Sequence, residues 1–144
     1  DNVRQYLAAD MRPRTWDEAA VMVKDTSLDA APDFSDAQWM ALARRSFRED
    51  ETGNIRVDFD PAVGAAFLKA EPVPDLWPLY GGLRNVPVLA IRGALSDMLT
   101  SATFERMAEI KSDLVRITVP NRGHVPWLDE PECVTTVDAF ISNL

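Results

Sequence analysis

Two short apolar runs, "VPVLAIRG" (residues 86–93) and "LVRITVP" (residues 114–120), restrict the folding of this chain more than any other feature. The first reads as a strand buried on both faces of a parallel sheet and the other as a second strand; each is written as a central or near-central strand. Between them "SATFERMAEIK" has the spacing of an amphipathic helix. After them "EPECVTTVDAFISNL" opens on Pro131, a good first-turn residue. It sets Cys133, Val134, Val137, Phe140 and Ile141 at helical spacing. Strand, helix, strand, helix is the order of a right-handed parallel crossover. Two parallel strands are too few to cover both faces and protect both edges. The fold class is therefore α/β, with these residues as the end of a larger sheet whose remaining strands are not in the sequence.

The first half reads as helical. "TWDEAAVMVKDT" has Thr15 as N-cap, Asp17 and Glu18 in the first turn, and Trp16, Ala19, Ala20 and Val23 on an apolar face. "FSDAQWMALARRSF" repeats the design, with Ser35 as cap and Trp39, Leu42, Ala43 and Phe47 on one stripe. "SLDAAPDF" is a Pro-bearing connection between them. In "EDETGNIRVDFDP" a Gly-Asn turn leads to alternating Ile55, Val57 and Phe59, a short extended segment. Asp58 and Asp60 there read as a polar turn capping the next helix. "PAVGAAFLKA" and "PDLWPLYGGL" read as short helices on either side of the proline-rich "EPVP". The organisation expected is a helical region over residues 1–80 and a sheet-bearing region over 81–144. Trp16, Trp39 and Trp77 are assigned first to the core of the helical region.

Charge and cysteine usage exclude whole classes of function. A net charge of -8, with Arg12, Arg14, Arg44 and Arg45 set among acids, argues against a phosphate-binding surface and hence against nucleic acid. One cysteine, Cys133, rules out an internal disulfide framework and reads as a small buried residue. One His and one Cys do not supply a typical metal set, and no other feature implies a cofactor. No apolar run approaches the ~20 residues of a membrane span. No secretory signal is visible, so the cytoplasm is the default compartment. The first residue, Asp1 rather than Met, points to a processed or truncated start.

Each strand is followed by a loop with a chemically useful residue. "ALSDMLT" carries Asp97, and "NRGHVPW" carries His124, the only histidine in the chain. In an open parallel sheet, catalytic groups gather at the carboxyl ends of the strands. Asp97 and His124 are expected at the same end of adjacent strands. A carboxylate accepting from one imidazole nitrogen leaves the other to take a proton from a nucleophile. The competing readings are a plain turn histidine, a helix-capping Asp97, and Asp129 as a rival acid in the N-cap region of the last helix. Ser96 reads as a turn hydroxyl. Trp127, close behind His124, is a candidate for the rim of a substrate pocket, against ordinary core packing.

The ordered set "PVLAIRGALSDMLTSATFERM…VPNRGHVPWLDEPECVTTVDAFI" resembles the C-terminal part of the α/β-hydrolase fold family. There the acid follows a late strand, and the histidine sits in a "GH-x-P" loop before "L-x-E-P" and the final helix. "TWDEAA", "DFDP" and "DLWPL" look like the helical cap inserted before those last strands, so the resemblance covers nearly the whole chain. It implies that Asp97 and His124 are the acid and base of a serine-type triad, although some relatives carry the acid one strand earlier. The departure is equally specific. No G-x-S-x-G elbow occurs among glycines 53, 64, 81, 82, 93 and 123, and the oxyanion-hole glycines are absent. The resemblance therefore implies a hydrolase of esters, or of related acyl or C–C bonds, acting on a small molecule with an apolar part. This segment alone is expected to be inactive, its nucleophile coming from the N-terminal half of the fold in the same precursor or in a second chain. A non-catalytic interaction module built on the same scaffold is the alternative.

Overall fold

The computed structural model describes residues 11–60, 62, 63, 66 and 74–144. They fall into two compact units, one drawn from the spans Asp1–Leu28 and Asp33–Pro72, the other from Asp29–Pro32 and Val73–Leu144.

In the first unit, α1 (Trp16–Ser27) begins at Thr15, whose hydroxyl accepts from the Glu18 N–H at 3.1 Å. Asp17 and Glu18 face the positive end of the helix, and Ala19 and Val23 are buried. Helix α2 (Asp36–Ser46) opens with a capping box. The Ser35 hydroxyl accepts from the Gln38 N–H, and the Gln38 side-chain carbonyl accepts from the Ser35 N–H. Trp39 and Ala43 are buried, with Phe34 tilted against Trp39 at 5.0 Å between ring centroids. The Arg44 guanidinium covers the Trp16 ring at 4.5 Å.

Phe47 departs from the expected helical stripe. Its side chain is buried, but the helix stops at Ser46 and Phe47 opens β1 (Phe47–Glu49), which pairs antiparallel with β2 (Ile55–Val57). Turn chemistry decides the outcome. The Asp50 carboxylate accepts from the N–H groups of Thr52 and Asn54, both at 3.0 Å, and from Arg56 Nε at 2.6 Å. Gly53 sits at φ 82°, a left-handed conformation that few other residues adopt. The Thr52 hydroxyl, donating to the same carboxylate at 2.6 Å, and then Arg56 hold the Asp50 carboxyl well below the usual carboxylate range. The Asp60 carboxylate accepts from the Ala62 N–H, the polar-turn role expected of it. The helix read in "PAVGAAFLKA" lies outside the described residues except for Ala62, Val63 and Ala66, as do three residues of "EPVP".

The second unit contains α3 (Trp77–Gly81), a 3-10 segment (Gly82–Asn85), β3 (Leu89–Gly93), α4 (Ser101–Ile110), β4 (Val115–Val119) and α5 (Pro131–Ser142). Strands β3 and β4 pair in parallel, in register from Leu89–Val115 to Gly93–Val119. The intervening helix is capped by Thr100, whose hydroxyl accepts from the Thr103 N–H at 3.1 Å. Buried Lys111 ends that helix. Its ammonium donates to both oxygens of Asp113, at 2.9 and 3.1 Å, and to the Arg84 carbonyl at 3.4 Å. These bonds tie the entrance of β4 to the segment before β3. Trp77 lies in this unit, between Tyr80 and the guanidinium of Arg106.

Strand β4 is more exposed than a central or near-central strand would be. Val115, Arg116 and Thr118 of β4 are exposed, and Arg116 pairs with Glu105 at 2.7 Å. On α5 Cys133 is fully buried, whereas Val134 and Ile141 are 44% and 61% exposed. A two-stranded sheet with one crossover helix offers too little surface to cover them.

Beyond the strands the two chain segments remain in contact. The Ala94 N–H donates to the Val119 carbonyl and the Leu95 N–H to the Arg122 carbonyl, both at 2.8 Å. A Cβ on Gly93 would overlap the carbonyl oxygens of Gly123 and Arg122, both backbone atoms. Gly123 in turn lies against Ala30, donating its N–H to the Ala30 carbonyl at 2.6 Å. Gly93→Ala is expected to cost about 3 kcal/mol or more, since backbone must move to admit one methyl. Gly82→Ala, with nothing within 4 Å of the new carbon, serves as the near-neutral control. Urea denaturation midpoints of the two variants check this.

Candidate active site

The contact between Gly93 and Gly123 places two loops side by side at the carboxyl ends of adjacent parallel strands. One carries Asp97, four residues past Gly93; the other carries His124, the residue after Gly123. Both side chains are exposed, and among the described residues no hydrogen bond links the two. The loops are thus brought together, while the final approach of carboxylate to imidazole is not made.

The loop after β3 is held from below by a charge that the apolar pattern conceals. Arg92 is 9% exposed. It donates from Nε to the Leu99 carbonyl at 2.7 Å and from a terminal nitrogen to the carbonyls of Ala94 and Ser96, at 3.3 and 3.4 Å. Three carbonyls of one loop therefore converge on a single guanidinium, and Asp97 is carried between them. Ser96 is buried, and its hydroxyl accepts from the Leu99 N–H at 3.1 Å. It acts as a turn hydroxyl. The cap of the following helix is Thr100, so the competing role of Asp97 as that cap is not the one seen.

The loop after β4 is more tightly closed. Arg122 Nε donates to Glu130 Oε1 at 2.7 Å, with the two side chains only 12% and 7% exposed. Glu130 Oε1 also accepts from the Trp127 N–H at 3.2 Å, and Oε2 from the Leu128 N–H at 2.9 Å. Asn121 and Leu128, on either side of His124, have φ of 54° and 68°, a region costly for residues with a Cβ. Glu130 occupies the N-cap position of α5 without capping it; its carboxylate turns back into the loop. Asp129 is exposed and is not the cap. Trp127 is half-buried, its backbone fixed by Glu130.

Burial alone would push the Glu130 carboxyl up. The N–H groups of Glu130 itself, Trp127 and Leu128, together with Arg122, outweigh that and hold it below the ordinary glutamate range. Burial first, and then the negative charge of Glu130, push the Cys133 thiol up to about 11, leaving it a protonated core residue. Arg92, Arg122 and Glu130 were not singled out from the sequence. Arg92 was legible in principle, because an arginine inside an apolar strand run must find carbonyls or carboxylates. The Arg122–Glu130 pair carries no such local signal.

A depressed folded-state value means that Glu130 adds stability above its unfolded value, about 4.3, and that this is lost as pH falls through the lower folded value. Glu130→Gln is accordingly expected to lower stability by about 2–3 kcal/mol near neutrality. The gap to wild type should shrink steadily below about pH 4. Urea midpoints across that range measure it.

Comparison with known proteins adds the wider frame. No family model matches the chain. It is similar to an alpha/beta hydrolase from Novosphingobium aromaticivorans, with 32% identity, a TM-score of 0.90, and coverage of 99% of this chain and 50% of that one. An esterase of M. tuberculosis shares the fold at 12% identity with a TM-score of 0.64, over 97% of this chain and 45% of that one. A 3-hydroxybutyrate-oligomer hydrolase from Cupriavidus necator is 23% identical over 99% of this chain and 51% of its own length. The chain thus spans about half the length of the relatives it matches. Its fold is that of the α/β-hydrolase family, of which these residues form a part.

Proposed function

We propose that this chain is the C-terminal portion of a serine-type α/β-hydrolase, in which His124 is the proton-transferring base and Asp97 the acid that orients it. The observation that carries this reading is the backbone contact of the two loops, Gly93 against Gly123 and Leu95 N–H to the Arg122 carbonyl. It brings one carboxylate and one imidazole to the same end of neighbouring strands, where such sheets do their chemistry.

In the working enzyme a serine from the N-terminal half of the fold attacks a carbonyl carbon. His124 takes the serine proton and returns it to the leaving group, and Asp97 fixes the imidazole tautomer and stabilises the imidazolium. The approach of Asp97 to His124 closes in the assembled site, since catalytic hydrogen bonds often tighten only in the reacting complex. The first unit is read as the helical cap of the enzyme. An ester substrate with an apolar part fits the surroundings. Leu95, Met98, Val125 and Leu128 flank the two residues and are 47%, 53%, 72% and 52% exposed, with Trp127 beside them. Esters are also the chemistry suggested by the relatives named as an esterase and as a 3-hydroxybutyrate-oligomer hydrolase. These 144 residues by themselves hold base and acid but no nucleophile elbow, so they are expected to be silent on their own.

A fluorophosphonate probe applied to the full-length protein should label one serine outside these residues. His124→Gln should slow both that labelling and p-nitrophenyl butyrate hydrolysis by roughly 10⁴-fold. Labelling and hydrolysis indifferent to His124→Gln would overturn the proposal.

A further inference from the structure

The loop that carries His124 is built with more constraint than a surface turn needs. Gly123 is fixed on one side, by backbone contact with Gly93 and Ala30. Asn121 and Leu128 hold left-handed backbone conformations; asparagine tolerates this region, whereas for Leu128 it costs on the order of 1–2 kcal/mol. Such geometry persists only where neighbouring groups over-determine it. Here they are Arg122 and Glu130. Their side chains join across the base of the loop at 2.7 Å, Arg122 also reaches the Asn121 carbonyl at 2.7 Å, and Glu130 gathers the N–H groups of Trp127 and Leu128. These bonds run between residues 121 and 130, and His124 stands inside the segment they close.

We infer that Arg122 and Glu130 are a positioning pair for His124, setting the direction in which the imidazole leaves the loop. The inference rests on the proposed role of His124 as base. The pair acts through the backbone between them. Removing one partner leaves a buried charge unpaired and frees the segment to relax from its left-handed turns. An imidazole displaced by an ångström loses its line to both acid and nucleophile, a misplacement that costs roughly 100-fold in rate.

The test uses the full-length protein with p-nitrophenyl butyrate, well below each variant's melting midpoint. Glu130→Gln keeps the shape of the side chain and one acceptor. It is expected to lower kcat roughly 10- to 100-fold with KM little changed, and to shift the ¹⁵N ring resonances of His124, identified by their loss in His124→Gln. Ser35→Ala, which removes a helix cap in the other unit, is the destabilised control and should alter neither readout. If Glu130→Gln does not fold, Arg122→Lys, which keeps the charge and loses the planar fork, carries the same readouts. A folded Glu130→Gln or Arg122→Lys with unchanged kcat and unchanged ring resonances overturns the inference. Hydrolysis that survives His124→Gln instead sinks the triad reading, so the two failures are told apart. The ring resonances decide the positioning role even where the ester is a poor substrate.

Discussion

The second unit depends on the absence of two side chains. Gly93 ends β3 and Gly123 follows β4; a Cβ on Gly93 would strike the backbone of Arg122 and Gly123, and a Cβ on Gly123 would strike Ala30. Strand pairing brings the chains only as far as Gly93 and Val119; past that point the Ala94 and Leu95 amides continue the contact into the loops. Glycine is expensive in the unfolded chain, and a close backbone approach is one of the few things that justifies it. The consequence is local but decisive. The segments bearing Asp97 and His124 diverge from a common point, so neither can move far without the other.

Buried Arg92 and half-buried Arg122 then do for the loops what hydrogen-bond ladders do for strands. Loop carbonyls at the end of a sheet lack ladder partners, and burial without partners costs about 1–3 kcal/mol per group. Arg92 answers the carbonyls of Ala94, Ser96 and Leu99, and Arg122 joins Glu130, which answers the amides of Trp127 and Leu128. A guanidinium suits this work because its donors lie in one rigid plane and it remains charged when buried. Apart from Lys111 at the entrance of β4, the buried polar groups lie in and beneath the two candidate catalytic loops, while Val134, Ile141 and much of β4 remain exposed.

What could be read from the sequence follows the range of the forces involved. Helix caps at Thr15 and Ser35 act over three residues and are legible in the sequence, whereas the Thr100 cap is shown by the structure; the apolar runs at 89–93 and 115–119 are local and read as strands. Phe47 was misread because its burial continues the period of α2 although its backbone does not; the Asp50 turn, not apolar spacing, ends the helix. Burial along β4 falls short of a central strand's, since an apolar pattern records what a strand is suited to cover and not what covers it. The loops of Asp97 and His124 were found by their place after the strands. The Arg122–Glu130 pair escaped notice because two opposite charges eight residues apart in a loop look the same whether solvated or buried.

The central claim is that Asp97 and His124 act as one unit. The most direct measurement is a double-mutant cycle on kcat/KM for p-nitrophenyl butyrate in the full-length protein, with Asp97→Asn, His124→Gln and the pair. Groups that act together are strongly non-additive, so the double variant should be no slower than His124→Gln alone. Losses that simply multiply, or an Asp97→Asn variant as fast as wild type, would contradict the account.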